Sequence, residues 1–341
     1  MKKRTTIYDI AKELNITVST VSRALNNISS ISEETRNAVW EMAKKLNYRP
    51  NKIATSLSSG KTNIIGIVIP SAKIHFFSSV IYSLEQALKK AGYSILLYQS
   101  NETLESEING IQTLLEAQVD GIIISLSLET DNIDHIRKVE AEGKPLIVFD
   151  RIHNELNVPS VAINDTLAGY IATKHLIDSG YKKIAYVSTK HKIKIFVDRY
   201  KGYINALHEA NIALDENLII LDELSIQGGI KATEKLFKLK EKPDAIIGGD
   251  DFTALGIVKG LSTIGIVPPK VGVIGFANQT FSEYITPSLS TIDQQAVKMG
   301  QECASLFLRL INKKSSIDSP EKIVLEPILI ARDSTKQPAS K

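Results

Sequence analysis

The stretch Thr6–Asn26, TIYDIAKELNITVSTVSRALN, holds two short helical patterns separated by too few residues for anything but a tight turn. In the first, Ile7, Ile10, Ala11 and Leu14 recur at i, i+3, i+4 and i+7, which lines one helix face with apolar side chains. Thr6 followed by Asp9 is a capping-box-like start, and Asn15 suits the left-handed position that ends a helix. The second pattern opens at Thr17, a good N-cap, and turns Val21, Ala24 and Leu25 inward. Its other face carries Val18, Ser19, Ser22, Arg23 and Asn26, which are small or polar, with one arginine. Such a face fits a DNA major groove, where a guanidinium reaches guanine O6 and N7 while hydroxyl and amide groups meet phosphates. An ordinary amphipathic helix pair would share any one of these features. Their combination predicts a helix-turn-helix whose second helix reads double-stranded DNA.

Downstream, Ser32 with Glu33 and Glu34 starts a third helix, in which Val39, Met42, Ala43 and Leu46 form a packing face and which Asn47 ends. Three helices can close a small headpiece over residues 1–50. Only about two helical turns fit between Pro50 and Gly60, and a helix that short is marginal in water because nucleation is costly. Thr6, Tyr8, Ser32 and Asn51 complete the candidate DNA contacts.

The charge distribution agrees. Up to Lys61 there are eleven Lys and Arg against five Asp and Glu, whereas the remaining 280 residues carry 30 against 33. The first segment is the polyanion-facing part. No apolar run approaches the ~20 residues of a membrane span, and the basic start has no apolar signal core, so a cytoplasmic location is expected. The single cysteine, Cys303, cannot form an internal disulfide, and the six histidines lack metal-ligand spacing, so neither a metal nor a cofactor is expected.

From Asn63 the pattern changes to short apolar strands alternating with amphipathic helices. Strand candidates are IIGIVIP at 64, SILLYQS at 94, DGIIIS at 120, PLIVFD at 145, KIAYVS at 183, LIIL at 218, DAIIGG at 244, VGVIGF at 271 and IVLEPILI at 323. Continuous apolar strands separated by helices imply parallel sheets covered on both faces. LKKAGYSILLYQS at 88 and LIDSGYKKIAYVS at 176 form a faint repeat, as do DGIIIS and DAIIGG, which suggests two similar α/β halves. Ligands in such sheets bind beyond the carboxyl ends of the strands, so two facing halves make a cleft. Asp150, Arg151, Asn164, Asp165, Asp250, Asp251, Ala277 and Asn278 follow strands, and carboxylates and amides there suit a polyhydroxylated ligand. Arg199 adds a forked donor. Asp165 before Thr166 reads as a helix N-cap, Asp251 as a residue that orders its turn, and one of Phe76 and Phe77 as core.

The opening stretch, followed by RPNKIATSLSSGKTNIIGIVIP, resembles the start of a LacI/GalR-family transcriptional regulator, and the likeness extends over essentially the whole chain. The resemblance implies a hinge helix at 51–61 that folds when two protomers bring their copies into the minor groove of a pseudopalindromic operator. Leu57 would wedge into the central base step, with Ala54 small enough for close approach. It implies a periplasmic-binding-protein-like core that the chain crosses three times. On these grounds residues 62–161 with 291–320 are expected to form one subdomain and residues 162–290 with 321–335 the other. It places Asp150, Arg199 and Asp250 at the sugar effector, and Phe76 and Phe77 in a loop whose aromatic packs against the ligand.

Two departures bear on the effector. Ala277 stands where many members carry an aspartate, and Ile74-His75-Phe76-Phe77 where they often read Asn-Pro-Phe-Phe. A sugar acid, a phosphosugar or a nucleobase therefore stays open beside a sugar. The expected function is a homodimeric, effector-controlled repressor. The rival readings are a cytoplasmic sugar-binding protein and a carbohydrate-acting enzyme, whose paired aspartates would be acid and nucleophile. Neither accounts for the headpiece, and no catalytic motif appears in its local context.

Overall fold

The computed structural model describes residues 5–26, 30–48, 60–153, 155–191, 193–312 and 319–336. They form two compact units, Met1–Thr62 and Asn63–Lys341.

The first unit contains helices α1 (Ile7–Leu14), α2 (Val18–Leu25) and α3 (Glu33–Lys45). The Thr6 backbone N–H and hydroxyl both donate to Asp9 Oδ2, at 2.7 and 2.8 Å, and Asn15 ends α1 at φ 53°. Thr17 Oγ1 accepts from Thr20 N at the start of α2, and Ser32 Oγ accepts from Thr35 N at the start of α3. These caps hold the chain at two close reversals. Ile10, Ala11, Val21, Ala24, Val39 and Ala43 meet in one core, with Leu14, Val18, Leu25, Met42 and Leu46 packed around it.

The second unit is built on two six-stranded sheets. In chain order its elements are β1 (Ile64–Ile69), α4 (His75–Lys90), β2 (Ser94–Gln99), α5 (Leu104–Glu116), β3 (Ile122–Ile124), α6 (Asp134–Ala141), β4 (Leu146–Phe149), β5 (Ser160–Ile163) and α7 (Asp165–Asp178). The chain continues through β6 (Ile184–Ser188), α8 (Lys194–Glu209), β7 (Ile219–Leu221), α9 (Ile226–Leu236), β8 (Ala245–Gly248), α10 (Asp251–Thr263), β9 (Gly272–Phe276) and α11 (Phe281–Tyr284). It ends with β10 (Ser290–Asp293), α12 (Ala296–Asn312), β11 (Lys322–Leu325) and β12 (Ile328–Ile330).

The sheet orders are β11-β5-β4-β3-β1-β2 and β12-β10-β9-β8-β6-β7. All pairs are parallel except β10 with β12. Inner strands such as β3, β4 and β8 are buried along their whole length because helices cover both faces. The edge strand β2 leaves Leu96 and Leu97 exposed.

The two orders match position for position, so β3 (DGIIIS) and β8 (DAIIGG) are equivalents. The other phrase is a likeness of local chemistry only. Gly92 and Gly180 each end a helix at positive φ, 85° and 93°, but the strands that follow are β2, an edge, and β6, an inner strand.

The expected subdomain limits need correction. Lys322–Leu325 pairs in register with Ser160–Ile163, so β11 belongs to the first sheet, and β10 with β12 belongs to the second. The chain therefore passes between the sheets after Ile163, between Asp293 and Ala296, and between Leu325 and Ile328. IVLEPILI is two strands because Glu326-Pro327 breaks it: proline has no N–H for the ladder.

Candidate functional site

Most of the candidate DNA contacts that fall in the described part of the first unit are exposed. Thr6, Tyr8, Thr17, Ser19, Arg23, Asn26 and Ser32 are exposed, while Val18 and Ser22 are half-buried. Val18 is therefore partly a core residue, packed beside Val21. Arg23 sits in the last turn of α2, and Tyr8 is 68% exposed. Asn51, Ala54 and Leu57, and with them the expected hinge helix, lie outside the described residues.

In the second unit the strand ends build a polar center. Helices α7 and α8 cross closely enough that a Cβ on Gly169 would lie 2.0 Å from the Arg199 carbonyl, and one on Gly202 would lie 2.0 Å from that of Thr166. This approach sets Asp165, in the first turn of α7, against Arg199. Arg199 Nε donates to Asp165 Oδ1 at 2.8 Å and Nη1 to the Gly249 carbonyl at 3.2 Å, while Nη2 is buried without a partner. The guanidinium also lies 4.5 Å from the ring center of Phe276. Asp165 is thus not the N-cap expected: Asn164 Oδ1 accepts from Leu167 N and caps α7. Burial pushes the Asp165 carboxyl up to about 7, against the pull of Arg199.

Asp150, directly after β4, has φ 59° and is 4% exposed, yet its Oδ1 has no partner. Burial raises its carboxyl, and Arg151 and Arg199 pull it back. The next residue holds the turn: Arg151 donates to both oxygens of Glu102, at 2.6 and 3.0 Å, and to the Leu126 carbonyl. The hydroxyl of Ser125, directly after β3, is likewise buried without a partner.

Asp250 caps α10 through Thr253 N at 2.7 Å, so one of its oxygens is engaged. Asp251 orders its turn: it accepts from Gln279 N at 2.7 Å, Ser282 Oγ at 2.9 Å and Thr291 Oγ1 at 2.7 Å, and burial raises it to about 7. The Asn278 amide donates to Asp293 and accepts from Arg332, so both of its ends are engaged. Phe76 and Phe77 are not in a loop. Both lie in the first turn of α4, 3% and 2% exposed, and Phe77 packs edge-on against Phe149.

Two cavities flank the center. One of about 420 Å³ is lined by Asp150, Asp165, Asn164 and the aliphatic side chains of Ile152, Leu156 and Ile195. The other, about 340 Å³, runs from Leu126–Asp131 past Arg151 to Lys194 and Lys201. Both join residues from the two halves. Among the described residues no cluster of three or more His, Cys, Asp or Glu could hold a metal, and no helix is long and apolar enough to cross a membrane.

Residues 6–51 match the model of the bacterial regulatory proteins of the lacI family, and residues 62–329 match that of the periplasmic binding proteins and sugar binding domain of the LacI family. The chain belongs to the LacI family. It is 34% identical over 334 residues to catabolite control protein A of Priestia megaterium, covering 97% of this chain and 99% of the relative. A LacI-family regulator of Enterococcus faecium with bound ribose superposes with a TM-score of 0.71 at 28% identity, over 80% of this chain and 98% of that one. The lac repressor dimer bound to operator and an anti-inducer shares the fold, with a TM-score of 0.86 at 23% identity over 98% and 99% of the two chains. As a LacI-family member the chain is a DNA-binding transcriptional regulator with a sugar-binding-type domain.

Proposed function

We propose that the chain is a cytoplasmic homodimeric repressor, with no catalytic activity, that binds a pseudopalindromic operator and is controlled by a carbohydrate-like effector held between the two sheets. The carrying observation is a pair of buried, unpartnered polar atoms, Asp150 Oδ1 just after β4 and Arg199 Nη2 on α8, whose guanidinium is near enough to act on the Asp150 carboxyl. One accepts and the other donates, which is what adjacent hydroxyls require, and buried polar groups without partners point to an absent ligand or water. The ribose bound to the Enterococcus faecium regulator supports the same reading.

In this reading α2 enters the major groove. Arg23 reads a guanine, Ser19, Ser22, Asn26, Thr17 and Val18 lie along the groove, and Thr6, Tyr8 and Ser32 meet the backbone. Asn51, Ala54 and Leu57 act in the minor groove at the operator center. Effector binding changes the relation of the halves and, through the hinge, the pairing of the two protomers.

The test is Arg199→Ala, assayed by operator binding with and without a panel of sugars. The operator complex is expected to persist while the response to effector disappears. A response equal to the parent's would refute the site.

A further inference from the structure

Glu107 on α5 and His135 on α6 form a buried pair: their side chains are 0% and 3% exposed, and His135 Nε2 lies 2.7 Å from Glu107 Oε1. The same carboxylate holds the loop that follows β3. Ser127 N–H donates to Glu107 Oε2 at 2.6 Å, and the Thr130 hydroxyl donates to Oε1 at 2.9 Å. That loop, Leu126–Asp131, lines the 340 Å³ cavity, so a carboxylate behind it fixes what it offers in front.

The direction of each hydrogen follows from the donors available, because a carboxylate only accepts. The Thr130 hydroxyl spends its one hydrogen on Glu107, so the Ser127 hydroxyl, 2.8 Å away, must be the donor to Thr130. The backbone N–H groups of Ser127, Leu128 and Thr130 go to Glu107, Glu102 and the Ser127 carbonyl. Ser127 and Thr130 therefore offer lone pairs and no hydrogen to the cavity. Of the cations that line it, Arg151 pairs with Glu102, and Lys194 and Lys201 pair with Asp198, while Arg151 Nε is buried without a partner. A hydroxyl can donate to Ser127 and accept from Arg151. An ionised carboxylate or phosphate can only accept, and it leaves the Ser127 oxygen unsatisfied.

We propose that Glu107 determines effector specificity from behind the cavity wall: it draws the hydroxyl hydrogens of Thr130 and Ser127 away from the cavity, so the effector group that meets this wall is a hydroxyl and not a carboxylate or phosphate. This rests on the reading of the cleft as the effector site.

Glu107→Gln reverses the relay at constant shape. Its carbonyl must face the Ser127 N–H, so its amide donates to both Thr130 and His135. His135 then carries its proton on Nδ1, and one hydroxyl hydrogen is freed for the cavity. Ser127→Ala removes the accepting oxygen but keeps the Glu107 charge, which separates hydrogen-bond polarity from charge.

Calorimetry of the full chain tests this with glucose, glucuronate and glucose 6-phosphate, and with the galactose and mannose counterparts. In at least one set the neutral sugar is expected to bind the parent roughly tenfold more tightly than its acids, and the ratio should shrink several-fold in both variants. Nitrogen NMR above the histidine titration range should find the His135 proton on Nε2 in the parent and on Nδ1 in Glu107→Gln, the ring being identified by its loss in His135→Gln. Acids binding the parent as tightly as the neutral sugars, or a ratio unchanged in either variant, would overturn the proposal and leave the cleft a carbohydrate site. A His135 proton that stays on Nε2 in Glu107→Gln would overturn the relay. No binding by any sugar would overturn the reading of the cleft and the proposal with it.

Discussion

The chain buries an aspartate shortly after β8, at the first residue of α10, and another directly after β4, and the two are treated in opposite ways. Asp251 accepts three hydrogen bonds that tie β8 to the segment after β9 and to β10. Asp150 is as deeply buried and has an oxygen with no partner. The first is a brace, whose partners would be orphaned by its loss. The second is a contact held ready, since a buried acceptor with nothing to accept costs stability unless a ligand supplies the donor. Burial alone therefore does not identify a binding residue; the state of its hydrogen bonds does.

The largest expected effect is on the brace. Asp251→Ala leaves the Gln279 N–H and the Ser282 and Thr291 hydroxyls without their acceptor and should cost about 3 kcal/mol, measured by urea denaturation. A loss below about 1 kcal/mol would erase the contrast.

Next comes pH. Asp165 and Asp251 titrate near 7 in the folded chain and near 3.8 as free carboxyls, so the folded state binds more protons between those values. Their contribution to stability is full below the unfolded value and falls as pH rises from about 4 to about 7. Denaturation across that window should give a shallower slope for Asp251→Asn than for the parent. An unchanged slope would mean that Asp251 stays ionised when folded.

The smallest effect is on the contact. Asp150→Asn should change stability by less than about 1 kcal/mol, in either direction, because no partner is lost. Thermal unfolding of the two proteins without ligand checks this. A loss matching that of Asp251→Ala would make Asp150 a second brace.

The same contrast shows how much of the site was legible in the sequence. Apolar strands announced both sheets and located Asp150, Asp250 and Asp251 at strand ends, because covered strands must be apolar throughout. β10 escaped: Ser290 and Thr291 are buried through hydrogen bonds to Ser334, Thr335 and Asp251, and polar burial leaves no apolar pattern. Asn164 and Asp165 are both good caps, and only the close crossing of α7 and α8 assigns one to the helix and the other to Arg199. The turn-forming role of Asp251 was readable, but its three partners, 28 to 40 residues away, were not. The headpiece was read almost completely, since its caps and apolar faces are local.

The most direct test of the account is selection of bound duplexes from a randomised DNA pool by the full chain, run without ligand and with a mixture of neutral, acidic and amino sugars. The account predicts a two-fold symmetric site enriched in only one of the two runs. The same enrichment in both runs, or none in either, would contradict a regulator whose DNA binding is set by a sugar in this cleft.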